Sequence, residues 1–434
     1  MNLTGKTVVV YGAGISGISA AQLVRDHGGR AVIYDDNPTK SHSTSCTSVF
    51  NDCDIVVVSP GVPSGNEHVL DARLGGKQVL SELEFASLFC RAEQIAVTGT
   101  NGKTTTTLLI DHILKYARIP SHAVGNVGAA FSSIADKLDA MEVAVIEASS
   151  FQLEGARYFA PDIAVMLNIT PDHLDRHGNM ARYIGAKANV FLRQSESDVA
   201  VYNADDANVL SLEPVIRARK VPFSISHPVD GAYLSSGFVC YRGMPVAEVC
   251  DLDFAGRELE DLLAAVAVAA EKGVSLYTVA SALHTFRRPE FRRKECGTVD
   301  GVKIFNDSKA TNVFSTVSAA ESMDGGTVLI LGGADRGENF AELFSSLPDS
   351  VKGAVVTGEN AQKIISSARE NGFRRITESP DIADACADAV ELAHELGCAN
   401  VLFSPSSKSY DNYTSFVERG RAFDAAVARL GGKK

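Results

Sequence analysis

The segment 97-VTGTNGKTTTT-107 gathers two glycines, a lysine and a run of hydroxyls. Glycines let backbone N–H groups close around an anion, a lysine ammonium neutralises β- and γ-phosphate charge, and a threonine hydroxyl is a hard oxygen donor for Mg²⁺. Lys103 and Thr104 are the candidates for those two roles. A Walker A loop places four residues between its glycines, whereas Gly99 and Gly102 enclose only Thr100 and Asn101. Thr105, Thr106 and Thr107 open the following helix, and a threonine-rich start is poor in helix propensity. That favours a ligand as the reason for the run.

A second glycine loop lies near the N-terminus, 11-YGAGISG-17, with Asp35 and Asp36 about 20 residues on. The pattern G-x-G-x-x-G between a strand and a helix seats a pyrophosphate on a helix start. It recognises a diphosphate joined to a ribose, so a nicotinamide or flavin cofactor and a UDP-sugar satisfy it equally. Two loops of this kind imply two phosphate ligands. A redox enzyme has no need of the second, nor a simple ATPase of the first.

Further polar residues fall at strand ends, where open α/β sheets place ligands. Glu147 ends 143-VAVIE-147, and Asp172, His173 and Asp175 cluster in 168-NITPDHLDRHG-178; Glu147 and His173 are candidate ligands for a second divalent ion. Lys187 sits in a helical segment, 180-MARYIGAKANVF-191, and pattern alone reads it as a surface lysine. In the last third, 304-IFNDSKATN-312, 332-GGADRGENF-340 and 404-SPSSKSYDNYTSF-416 each follow a strand-like run. Three such loops suggest a small polar substrate, with Arg or Lys for a carboxylate. A G-x-S-x-G elbow is absent, so a covalent enzyme nucleophile is not expected.

The elements needed to hold these loops are legible as repeated strand–loop–helix units. Strand-like runs at 6–11, 31–36, 54–60 and 78–82 form one block, and a second begins at 95-IAVTG-99. Residues 222–243 read as short antiparallel strands, and 258-ELEDLLAAVAVAAEKG-273 as a helix stopped by glycine. After 286-FRRPEF-291 the pattern restarts. The expected fold class is α/β, as three open α/β domains over 1–92, 93–287 and 288–434. The length of 434 residues suits three domains at about 150 each. A net charge of −12 argues against a chain-wide nucleic-acid footprint, and the eight scattered cysteines form neither metal spacing nor a disulfide framework. No apolar run approaches the ~18 residues of a membrane span, and no secretory signal is evident. The expectation is a cytoplasmic protein without membrane insertion.

At TGTNGKTT (98–105), EASSFQLE (147–154), NITPDHLDRHG (168–178), NDSKATN (306–312) and the spaced residues of 404–420, the chain resembles the Mur ligases over essentially its full length. The first of these motifs is shared with folylpolyglutamate synthases; the others are narrower. The resemblance implies a Rossmann-like N-terminal domain for a UDP-sugar, a P-loop-type central domain for ATP and a Rossmann-like C-terminal domain for an amino acid. It implies an ATP-dependent ligase working through an acyl phosphate in peptidoglycan precursor synthesis. The motif order points to addition of D-glutamate to UDP-N-acetylmuramoyl-L-alanine, with L-glutamate or another amino acid as the alternative. The rival of another class is an NAD(P)-dependent oxidoreductase built on the first loop.

Carried over by position, the resemblance puts Gly14, Ile15, Ser16 and Asp35 on UDP with Ser59, Pro60 and Gly61 nearby, and Asn126 and Ser149 on the muramoyl-alanine portion. Thr100, Asn101, Gly102, Lys103, Thr104, Thr105 and Thr106 would cradle ATP. Thr104 and Glu147 would serve one Mg²⁺; His173 and a carbamylated Lys187 would serve a second, which reverses the surface reading of Lys187. Asp307 and Lys309 would approach the ATP phosphates, and Thr311, Arg336, Ser409 and Phe416 would surround the incoming glutamate. Lys103, Glu147, His173, Lys187 and Asp307 are thus the expected catalytic set, in a monomer with small-molecule partners. The family's G-x-H-N-x-x-N reads 256-GRELEDL-262 here, and its P-H-R segment reads 289-PEFRRKE-295, which leaves Arg292 and Arg293 as alternatives for ATP. Arg336 stands where lysine is common, and Lys408 beside Ser409 is unusual.

Overall fold

The computed structural model describes residues 1–37, 39–41, 46–335 and 337–431. They divide into one unit of Met1–Asp253 with Glu260–Phe286 and another of Phe254–Leu259 with Arg287–Lys434. Two of the three sheets lie in the first unit and one in the second.

The first sheet contains β1 (Thr7–Tyr11), β2 (Arg30–Tyr34), β3 (Ile55–Val58) and β4 (Gln78–Ser81), in the order β2-β1-β3-β4 and parallel throughout. Alternate residues of β1 serve opposite faces. Val8 and Val10 join Leu23, Val24 and Phe85, while Val9 and Tyr11 join Phe50, Val56 and Val69. A parallel sheet covered on both faces needs this unbroken apolar run. The chain moves off β1 in both directions, to β2 and to β3, so the crevice for a ligand opens at their C-terminal ends.

The second sheet runs β6 (Ser121–Gly125), β7 (Val143–Glu147), β5 (Glu93–Thr98), β8 (Ile163–Met166), β9 (Val199–Asn203), β10 (Arg219–Ser224), then β11 (Ala232–Ser235), β12 (Phe238–Tyr241) and β13 (Met244–Glu248). The sheet is parallel as far as β11, and the last two strands are antiparallel. The antiparallel reading of 222–243 therefore holds for β11 and β12 but not for β10, which pairs parallel with β11. Strand β5 has β7 on one side and β8 on the other, so the loops after all three converge.

In the second unit, β14 (Lys294–Val299) is an antiparallel edge on a parallel sheet of β15 (Val302–Asn306), β19 (Asn400–Phe403), β16 (Thr327–Leu331), β17 (Val351–Val356) and β18 (Ile376–Glu378). Its faces are packed by two apolar clusters, one around Leu329, Leu331 and Ile364 and the other around Ile304, Val401 and Phe423. Strand β19 enters between β15 and β16, which brings the loops after 306, 331 and 403 together.

Candidate active site

The phosphate-type loop after β5 ends in a 14-residue helix, Lys103–Tyr116. Gly102 takes the cap position in the left-handed region (φ +83°) and has no side chain of its own to cap the first turn. The helix start carries the positive end of its dipole, which favours an anion. The loop is braced from β8: Thr100 N donates to Asn168 O (2.8 Å) and Asn101 N to Asn168 Oδ1 (2.9 Å). Thr100 Oγ1 sits 3.1 Å from both Thr170 O and the Tyr183 hydroxyl, so this threonine fixes the loop. Lys103 Nζ donates to Gly99 O (2.9 Å) and Thr100 O (2.7 Å).

Beneath the helix start, Thr104 Oγ1 donates to Glu147 Oε2 (2.8 Å) and Asn126 Nδ2 donates to Glu147 Oε1 (2.7 Å). Glu147 is 2% exposed at the end of β7. Thr105 is buried nearby, and the buried hydroxyls of Thr106 and Thr107 have no hydrogen-bond partner among the described residues. Ser149, expected near the sugar, caps the short helix Ser150–Glu154 in a reciprocal capping box with Gln152.

Lys187 corrects the pattern-based reading. It is 1% exposed rather than on the surface, and its Nζ donates to Gly99 O at 2.5 Å, the carbonyl that Lys103 also uses. Helix Met180–Ala188 stacks Tyr183 one turn back, with the ammonium 4.8 Å from that ring's centroid. Burial pushes the ammonium pKa well below its ordinary value; Lys103 adds to the shift and Asp172 opposes it. His173 takes a left-handed backbone conformation (φ +53°) with Nε2 3.7 Å from Asp172 Oδ2, and its ring packs on Phe151. Asp172 is thus the neighbour shared by His173 and Lys187.

In the N-terminal loop, a Cβ at Gly17 would collide with Gly12 O, and one at Gly12 (φ +104°) would meet Ser59. A Cβ on Gly14 would meet nothing within 4 Å. Packing therefore dictates the first and third glycines, while the second is the N-cap of the helix Ile15–Asp26 with open space above it. Asp35 is drawn into holding the loop: its carboxylate accepts from Ala13 N (2.7 Å) and Asn37 N (2.9 Å). The Ala13 bond is the main cause of a lowered Asp35 pKa. Ser59 Oγ donates to Gly12 O (3.2 Å), Ser16 O accepts from Ser132 Oγ (3.5 Å), and Ile15 is 81% exposed at the helix start. Pro60 and Gly61 follow Ser59 directly.

Several residues of this unit went unread in the sequence. Arg176 donates to Gly61 O (3.3 Å) and Val62 O (3.0 Å) and pairs with Glu154 (3.1 Å), tying the 59–62 loop to the central segments. Glu82 accepts from Ser132 N and Oγ, and Glu84 from Arg157 N (2.8 Å) and Tyr158 N. Burial raises the pKa of both carboxyls. Acidic residues in a helix read as solvent-facing, so no local signal marks these.

In the second unit, Asp307 follows β15, with Oδ2 accepting from Ser404 Oγ (2.9 Å) and Oδ1 from Arg293 N (3.2 Å). Burial pushes its pKa up to about 7, with the Ser404 bond and the Arg292 charge opposing. Lys309 Nζ lies 3.9 Å from the centroid of the Phe416 ring, and Ser308 Oγ donates to Phe416 O (2.8 Å). Asp307, Lys309 and Phe416 are therefore brought into one neighbourhood. Ser409 is buried, and Thr311 is half-buried just ahead of the helix Val313–Glu321. Arg336 lies outside the described residues. Arg293 is committed to Glu258 (3.0 Å) and Ser322 O (3.2 Å), and Arg288 to the same Glu258 (2.5 Å). Of the two arginines left open by the sequence, Arg292 is the one that acts on Asp307 by its charge.

The Mur ligase middle domain profile matches residues 97–252 and the Mur ligase glutamate ligase domain profile matches residues 287–406. A UDP-N-acetylmuramoylalanine--D-glutamate ligase of Geobacillus sp. (strain WCH70) is 37% identical, covering 98% of both chains. The protein of that name from Pelotomaculum thermopropionicum is 37% identical over 99% of each. The chain belongs to the Mur ligase family. Among solved structures, the Mur ligases MurC of Thermotoga maritima (TM-score 0.60, 20% identity, 98% and 99% covered) and MurF of Acinetobacter baumannii (0.62, 16%, 87% and 90%) share its fold. Among the described residues no group of three or more His, Cys, Asp or Glu is placed to hold a metal ion by itself, and no helix is long and apolar enough to cross a membrane.

Proposed function

We propose that this Mur ligase joins D-glutamate to UDP-N-acetylmuramoyl-L-alanine at the expense of ATP, acting in the cytoplasm as a monomer. The carrying observation is the Thr104–Glu147–Asn126 relay under the start of the loop's helix, in a chain whose full-length relatives bear that activity in their names. Residues 1–92 would hold UDP through Gly14, Ile15, Ser16 and Asp35 beside Ser59–Gly61, 93–287 would hold ATP at residues 100–106, and 288–434 the amino acid through Thr311, Arg336, Ser409 and Phe416. The acceptor carboxylate attacks the γ-phosphorus of ATP, giving an acyl phosphate and releasing ADP. The amine of glutamate attacks that carbonyl, loses a proton, and phosphate leaves as the amide forms. Asp307, Lys309 and Arg292 belong to the phosphate-handling side of this reading.

The residues present suit Mg²⁺. Glu147 and Thr104 offer hard oxygens, and a Mg²⁺ site needs one or two carboxylates together with substrate phosphates rather than an all-protein cage. Such an ion would neutralise charge on the transferring phosphoryl group. Asn126 orients Glu147, and Lys103 adds positive charge from the loop. His173 and Lys187 would hold a second ion, with Lys187 as its carbamate. An amine adds CO₂ only when neutral, and burial favours the neutral form of Lys187. Its nitrogen would bond the CO₂ carbon and release a proton, and the carbamate oxygens so formed would be hard donors for the ion.

Phosphate release with UDP-N-acetylmuramoyl-L-alanine, ATP and Mg²⁺ should rise only when D-glutamate is supplied. Equal release with L-glutamate would shift the assignment to that amino acid. Nicotinamide absorbance changes without phosphate release would replace the reading altogether. Lys187→Ala should abolish ligation, with partial recovery by a short-chain carboxylic acid; near-parental turnover would remove Lys187 from the reaction.

A further inference from the structure

Arg176 uses both the edge and the face of its guanidinium. Along the edge, Nη1 donates to Gly61 O (3.3 Å), and Nη2 donates to Val62 O (3.0 Å) and Glu154 Oε2 (3.1 Å). Across the face, Cζ lies 4.6 Å from the centroid of the Phe151 ring. That ring also packs on the His173 imidazole, with centroids 4.7 Å apart and planes inclined at 57°. Arg176 belongs to the short helix Leu174–His177, of which His173 is the N-cap.

A planar fork serves two carbonyls and a carboxylate while its face rests on an aromatic ring, which a lysine ammonium cannot do. Packing alone does not fix the loop 59–62 on this side. A cavity of about 20 Å³, room for about one water, lies between Ser59 and Val62 of the loop and Phe151 and Glu154 of the helix Ser150–Glu154. A Cβ on Gly61 would meet nothing within 4 Å. The turn closes on itself through Val62 N to Ser59 O (3.0 Å), and its carbonyls at 61 and 62 end on Arg176. His173 holds a left-handed backbone (φ +53°), and its ring rests against Phe151 beside Asp172.

We propose that Arg176 is a positioning residue that sets the loop 59–62 and, through the ring of Phe151, the His173 imidazole together. The inference rests on the reading above, in which the loop faces the UDP-sugar and His173 serves the phosphoryl end. Arg176 and Phe151 themselves act through these neighbours. Loosening Arg176 loosens both, whereas loosening Phe151 frees only the imidazole.

The full-length protein, without Mg²⁺ or ATP, is titrated calorimetrically with UDP. Its histidine ring signals are followed by NMR after isotope labelling, the His173 signal being the one missing from His173→Gln. Arg176→Ala should weaken UDP binding about tenfold, through loss of a charged donor on two loop carbonyls, and should move the His173 signal. Arg176→Lys keeps the charge beside Glu154 but reaches fewer acceptors, so its UDP affinity should fall between the two. Phe151→Leu should move the His173 signal and leave UDP affinity within about twofold of the parent. In turnover, Arg176→Ala should raise the acceptor KM and lower kcat, while Phe151→Leu should lower kcat alone. Urea midpoints identify a variant that fails to fold, and the Lys and Leu variants carry the test if the Ala variant is lost. Unchanged UDP affinity in the Arg176 variants, or a His173 signal that moves in Phe151→Leu but in neither Arg176 variant, overturns the proposal. A parent that binds UDP yet releases no phosphate with D-glutamate overturns the ligase reading alone.

Discussion

Replacing Gly102 by alanine tests the geometry of the phosphate loop without assuming a reaction. The residue stands at φ +83°, where an L side chain costs ~1–2 kcal/mol. Its added Cβ would also lie 1.8 Å from Asp261 Oδ1, 2.7 Å from Cγ and 2.9 Å from Oδ2, and ordinary contact begins at 3.4 Å. Asp261 is only 6% exposed, so its carboxylate cannot swing into solvent without repacking. Overpacking of this kind costs ~1–3 kcal/mol. Gly102→Ala should therefore destabilise the first unit by about 2–5 kcal/mol. In Gly102→Ala with Asp261→Ala the collision is gone and only the backbone strain remains. The pair should then show a coupling of ~1–3 kcal/mol, favourable in sign. Urea unfolding of the parent, both single variants and the double variant, followed by circular dichroism with slopes compared, measures this. Equilibrium ATP binding on the same four proteins shows whether the loop keeps its shape. A single substitution costing under about 0.5 kcal/mol, or a coupling near zero, would refute the close approach of Asp261 to the helix start.

Asp307 carries a folded pKa of about 7 against an ordinary value near 3.9, so between those values the folded chain binds more protons than the unfolded one. Its contribution is fully present below about pH 4 and is lost as pH rises through about 7; Asp307→Asn should flatten this fall when unfolding is compared at pH 4.5 and 7.5. Glu84→Ala removes the acceptor shared by Arg157 N and Tyr158 N, two part-buried bonds worth ~0.5–1.5 kcal/mol each. Faster proteolysis between 82 and 92 and a lower urea midpoint should follow, with Glu84→Gln closer to the parent; equal midpoints for Ala and Gln would show that the carbonyl oxygen is not what holds the chain there.

Much of the α/β order was legible because parallel strands covered on both faces require unbroken apolar runs, as at 7–11 and 143–147. Boundaries were less so. The helix read as 180–191 ends at Ala188, and the segment 168–178 leaves β8 at once, since the loop after Met166 turns to brace Thr100. The candidate site was legible where polar residues are contiguous or end a strand: Gly99 to Thr107, Glu147 after β7, and Asp307 with Lys309 after β15.

By itself, the sequence determined that two phosphate-type loops exist, that each sits between a strand and a helix, and which hydroxyls and carboxylates stand beside them. Those are properties of short windows, set by glycine conformation and strand periodicity. Tertiary structure alone decided that Lys187 lies buried against Gly99 O instead of in water, and that Arg176 reaches back to residues 61 and 62. It also decided that Arg176 and His173 share the ring of Phe151. Whether a charge is solvated or buried depends on what packs over it from distant parts of the chain, and no local pattern carries that information.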